Sequence, residues 1–200
     1  MTVADQQTVS APPVKRKKTV LIALAILVAA SIAGLSFGLL TTNQSPPAAT
    51  GAGQDSWITK GAYATYQGQA EVMSTSISFN AKMEIIDLNA THVEISTSYN
   101  MSSPYETIDN TTTTWVSREN MTFQPDGLTL ASSYSTKITL PNLGTRSCTA
   151  YEYNSDGLTE TMYVDNSIQW PIEITMTSPS ADGQSYSINI ALVQTNIPGL

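Results

Sequence analysis

Side chains able to do chemistry are few in this sequence, and they stand far apart. His92 is the only histidine and Cys148 the only cysteine. A Cys/His dyad or a histidine-rich zinc site needs such residues in recognisable groups, and none is signalled. The GxSxG turn of a serine hydrolase is absent, and so is a glycine loop able to cradle phosphate. Three oxygen-rich groups could be read as calcium ligands: Asp87, Asn89 and Glu94; Asn154 and Asp156; Asp165 and Asn166. Calcium takes six to eight oxygens, whereas Asp and Asn also close turns locally, so the turn reading is preferred. The expectation is therefore a non-enzymatic protein with no catalytic residues, no cofactor and no metal. A lone cysteine excludes an intramolecular disulfide and is expected to serve as a small buried apolar residue.

Modification and binding are better represented. Asn-X-Ser/Thr sequons stand at Asn43, Asn89, Asn100, Asn110 and Asn120. The last four recur about every ten residues, the length of a strand and a turn, and glycosylation is expected on exposed members. Tyr151, Tyr153, Tyr163, Trp170 and Tyr186 cluster in the last quarter of the chain. Core packing is their default role; a groove for lipid, glycan or peptide is the sharper alternative. Tyr151 and Tyr153, two apart, would share one strand face.

The elements that must position these residues begin with an anchor. Thr19–Leu40 is free of charge, and Lys15, Arg16, Lys17 and Lys18 precede it directly. As a helix this run spans about 33 Å, enough for a hydrocarbon core of about 30 Å. Secretory signal cores are shorter, about 7–15 residues. A single transmembrane helix with a cytoplasmic basic tail is the expectation, since cations resist translocation. Ala30, Gly34 and Gly38 recur at four-residue spacing, a face on which two such helices could pair into a homodimer. The organisation read is a tail (1–18), a membrane helix (19–40), a flexible stalk (41–56) and an extracytoplasmic β-domain (57–200). The stalk, rich in Pro, Gly, Ala and Ser, would reach about 20–24 Å.

Charge narrows the partners. Residues 41–200 carry five basic and fifteen acidic side chains. Nucleic acid is excluded, because phosphate contacts need clustered Lys and Arg. Charged residues make up only 12% of the chain, and Ser, Thr, Asn and Gln supply its polarity instead. Together with frequent Thr, Tyr, Val and Ile, that mix suits half-exposed strands.

From Trp57 onward, period-two alternation replaces helical spacing. Residues 72–79 alternate as one strand, Val93, Ile95, Thr97 and Tyr99 share a face, and residues 105–118 form a Thr-rich strand. Pro125-Asp126-Gly127, Asn154-Ser155-Asp156-Gly157 and Ala181-Asp182-Gly183-Gln184 each separate two strand-like runs. The closing strands are read at 146–153, 158–165, 171–177 and 185–194. The fold class is mainly β: one antiparallel meander of nine or ten strands, built as a curved sheet, half-barrel or sandwich.

The stretch Gly144–Ser178, with Tyr163-Val164-Asp165 and Trp170-Pro171-Ile172, resembles the closing strands of LolA/LppX-like envelope lipoproteins. That resemblance implies a curved antiparallel sheet sheltering lipid or another apolar ligand. The order of basic tail, anchor and Thr- and Asn-rich β-domain with sequons is similar to that of archaeal single-pass envelope proteins, which implies a location at the cell membrane with the C-terminal domain outside. Archaeal pilins share the apolar N-terminus and β-rich head, but their processing site sets a small residue after the basic one, and here Lys18 precedes Thr19. The leading expectation is an envelope interaction or structural module, with the bilayer and an envelope protein or glycan as partners. A LolA/LppX-like carrier and a pilin-like filament subunit are the alternatives.

Overall fold

The structure is a computed structural model that describes residues 57–72, 75–104, 106–118, 125, 128–155, 157–178 and 186–200, with the side chains of Val72 and Tyr186 excepted. The basic tail, the apolar run with Ala30, Gly34 and Gly38, the stalk, Asn43 and Asn120 lie outside the described residues. No helix among the described residues is long and apolar enough to cross a membrane.

Among the described residues nine strands follow one another: β1 (Tyr63–Val72), β2 (Thr75–Leu88), β3 (His92–Ser102), β4 (Thr107–Ser117), β5 (Thr129–Leu140), β6 (Gly144–Ser155), β7 (Leu158–Asp165), β8 (Pro171–Ser178) and β9 (Tyr186–Thr195). They form one antiparallel sheet in the order β4-β3-β2-β1-β9-β8-β7-β6-β5. Strands consecutive in the chain lie side by side except β4 and β5, which form opposite edges, and the two halves meet where β1 pairs with β9. The sheet does not close: no pairing joins β4 to β5 among the described residues.

The closing strands coincide closely with their sequence expectation, because Asp156-Gly157 and Asp182-Gly183 punctuate two of the links between them. One reversal differs. The alternating run 72–79 is not one strand; Val72 pairs with Thr75 and the chain turns between them. No Gly, Pro, Asn or Asp marks that turn, and period two continues across it, so the pattern conceals the break.

Burial follows period two along β2, β3 and the central strands, whereas β4 and β5 are exposed over most of their length. Ala64, Tyr66 and Ala70 of β1 face inward with Ile77, Phe79, Ala81, Met83 and Ile85 of β2, and Ile188, Ile190 and Leu192 of β9. With no helical layer on this face among the described residues, such burial requires the sheet to coil around its own side chains. Packing is tight at the centre. Gly68 lies opposite both Phe79 and Ile190, and a Cβ there would stand 2.4 Å from Phe79 Cζ and 2.3 Å from Asn189 O. Glycine is required at this point because the Phe79 ring occupies the space a side chain would take.

One end of the cup is closed by Trp57, Ile168, Trp170 and Ile197, all buried. Trp57 and Trp170 meet edge to face with centroids 4.6 Å apart. Tyr66 Oη donates to Pro171 O at 2.8 Å and accepts from Trp170 Nε1 at 2.7 Å, so the Tyr66 hydroxyl and the Trp170 indole N–H are satisfied in the core. The β5–β6 end behaves differently. Register puts Leu140, Cys148 and Ala150 on the face opposite Met162, and these too are buried. Asn142 Nδ2 donates to Val193 O and Arg146 Nη1 to Gly199 O, tying this end to β9 and the C-terminal tail.

Candidate functional site

The expected aromatic set does not share one surface. Tyr151 and Tyr153 lie opposite Met162 and Glu160, on the cupped face, whereas Tyr163 lies opposite Ala150 on the other face. Trp170 belongs to the hydrogen-bonded core beside Tyr66. The side chain of Tyr186 lies outside the described residues. Beside Trp170 a gap of about 10 Å³ is lined by Trp57, Met83, Ile85, Ile95 and Ile197. That is the lower limit for holding one water, far below the several hundred Å³ of a small-molecule site.

The least expected residue on the cupped face is Glu160. It is 2% exposed and stands between Tyr153 and Met176 across the ladder. The same row continues through Ile188 and Ala70 to Ile77. No hydrogen bond to its carboxylate is recorded among the described residues. Burial alone pushes the carboxyl up to about 7. Tyr153 is raised to about 12, first by burial, then by Tyr151 and by the Glu160 charge. Sequence reasoning passed over Glu160, although a signal existed: it is in phase with Met162 and Val164.

The opposite face of β5–β8 is polar and aromatic. Tyr134 is 48% exposed. The Tyr163 hydroxyl is raised first by burial and then by Tyr134. Asn189 Nδ2 donates to Glu173 Oε1 at 3.1 Å on the same face. Cys148 beneath it is fully buried, and its thiol is raised chiefly by that burial.

The oxygen-rich groups resolve into turns and ion pairs. Asn89 Oδ1 accepts from Thr91 N and His92 N, closing the β2–β3 turn, and His92 Nδ1 meets Thr91 Oγ1 at 2.9 Å. Asp87 pairs with Lys60 at 3.2 Å, and this contact lowers its carboxyl. Asp165 Oδ1 accepts from Ser167 N and Ile168 N, while Oδ2 lies 3.8 Å from Arg146. Asn154 is exposed at the end of β6, and Asp156 lies outside the described residues. Among the described residues no group of three or more His, Cys, Asp or Glu could hold a metal.

Three sequons are placed. Asn89 is exposed in its turn. Asn100 Nδ2 donates to Asp109 Oδ1, and Asn110, exposed on β4, donates to Tyr99 Oη at 3.3 Å.

The two edges are unequally protected. Long unpaired edges invite pairing, and proteins blunt them with lysine, proline or bulges. β5 carries Lys137 and a register shift between Leu130 and Ser132. β4 (TIDNTTTTWVS) has neither; it pairs with β3 without a break, and its Trp115 is 46% exposed.

No protein-family model matches this sequence, and no curated protein matches it. Among solved structures, the S-type phycobiliprotein lyase of Guillardia theta aligns over 68% of this chain and 88% of its own, at 10% identity and a TM-score of 0.30. An outer membrane lipoprotein-sorting protein domain from Vibrio parahaemolyticus aligns over 70% and 87%, at 8% identity and a TM-score of 0.27. A DUF1329 family protein from Desulfovibrio piger aligns over 70% and 87%, at 8% identity and a TM-score of 0.23. The structural resemblance to the lipoprotein-sorting domain is weak, and at these scores none of the likenesses bears on activity.

Proposed function

We propose that this chain is a membrane-anchored, non-enzymatic interaction module of a cell envelope, held by residues 19–40 with its β-domain outside. The observation that carries this reading is the close packing of the cup among the described residues: Phe79 occupies the space over Gly68, and the gap beside Trp170 is about 10 Å³. A partner is therefore met on the outer face and the edges, where Ser, Thr, Asn and Tyr are displayed. The apolar run and its basic flank support the anchor and its orientation. Exposure of Asn89 supports a glycan at that position.

Protease added to intact cells tests the arrangement. Removal of the acidic domain, leaving a membrane-held fragment, is the expected result. A domain cut only after lysis would overturn the proposal.

A further inference from the structure

We propose that the free edge of β4 pairs with β4 of a second copy, joining two sheets into one through an antiparallel, two-fold symmetric ladder centred on Thr112. This names the partner for the surface-acting reading above and rests on it.

The direction of the backbone groups comes first. Ser103 N donates to Glu106 O, and Arg118 N donates to Thr91 O. These bonds flank the two ends of the unbroken β3–β4 register and continue its phase. Bonded and non-bonded pairs alternate in an antiparallel ladder. The even-numbered residues of β4 thus spend their N–H and C=O groups on β3. Thr107, Asp109, Thr111, Thr113, Trp115 and Ser117 point theirs at the open edge, where no partner strand lies among the described residues.

Self-pairing then fits the sequence. Full overlap of two β4 strands places the axis at Thr112, and every residue that meets its mate as a bonded pair is odd-numbered. Thr107 meets Ser117, Asp109 meets Trp115 and Thr111 meets Thr113; on the other face Ile108 meets Val116, Asn110 meets Thr114 and Thr112 meets itself. Apolar pairs and Thr–Thr pairs are favourable cross-strand combinations. Asp109 is the only charged residue in the strand. Its counterpart in the mate lies six residues along, about 20 Å away, so like charges do not oppose. The exposed Trp115 is covered over the Asp109 of the mate. A one-residue slip would set even-numbered groups, already bonded to β3, against outward ones; the hydrogen-bond phase thus allows only slips of two residues, and full overlap of the strand selects Thr112 as the axis.

Cysteine cross-linking of the full chain in its membrane tests this. In the D109C/W115C double variant the two positions meet only between copies, at about 5.5 Å between Cα atoms, within disulfide reach. T107C/S117C is a second such pair that retains Trp115. Mild oxidation is expected to yield cross-linked dimers from both double variants and not from the four single ones, whose like positions lie about 20 Å or more apart. Adding T113P removes an outward N–H without touching the β3 ladder, and should lower the cross-linked fraction about tenfold or more while leaving the melting temperature in place. Monomeric double variants, cross-linking by the single ones, or indifference to T113P would each overturn the pairing. A chain that stays monomeric yet is shaved from intact cells would lose this proposal and keep the interaction reading.

Discussion

Replacing Glu160 by leucine should stabilise the domain, and by an amount that depends on pH. The carboxyl sits in an apolar row and titrates at about 7 when folded, against an ordinary 4.5. The folded state thus holds the proton more tightly than the unfolded state does. Stability is complete below about pH 4.5, falls as pH rises toward 7, and carries the full penalty above it. The difference corresponds to about 3 kcal/mol. Among the described residues Glu160 forms no ion pair to offset it: Lys60, Lys82 and Arg146 are paired with Asp87, Glu84 and Asp165. E160L should therefore raise the melting point at pH 8 by about 10 °C, at a few degrees per kcal/mol for a domain of this size, and change it little at pH 4.5. Thermal unfolding followed by circular dichroism between pH 4.5 and 8.5 reads both effects in one series. A wild-type melting point that rises through this range, or a variant that loses stability equally at every pH, would refute the placement of Glu160 in the core.

Gly68→Ala should destabilise by about 1–3 kcal/mol or more, because the added methyl must displace Phe79 or Asn189 O; chemical denaturation measures it. Tyr66→Phe strands Trp170 Nε1 and Pro171 O in the core and should cost about 1–3 kcal/mol in the same assay. Thr112→Pro should destabilise far more than Thr113→Pro, since only the first removes a hydrogen bond of the β3 ladder; equal melting points would refute the assigned bond phase. Calcium or a chelator should leave the melting point unchanged, as the Asp87, Asn89 and Asp165 oxygens are committed to Lys60, turn amides and Arg146.

Much of the meander is legible in the chain because its chemistry is local. Asn154 to Gly157 marks a reversal, and alternation of Val93, Ile95 and Thr97 assigns a buried face without reference to any other strand. What escaped depends on distant partners. The reversal at Val72–Thr75 has no turn residue to announce it. Trp170 and Tyr151 lie close in sequence but serve different surroundings, because Tyr66, far earlier in the chain, claims the indole. A glutamate in a strand reads as solvent-facing, and only its phase with Met162 and Val164 places Glu160 inside. The direction of the free β4 groups follows from register alone, which composition does not encode.

Native mass spectrometry of the full chain, released gently from its membrane, tests the surface-acting account most directly. The account predicts the mass of the polypeptide plus any sugars, as monomer and dimer, with no apolar molecule retained in fixed proportion. One lipid-sized ligand held per chain after detergent removal would contradict it and favour a carrier.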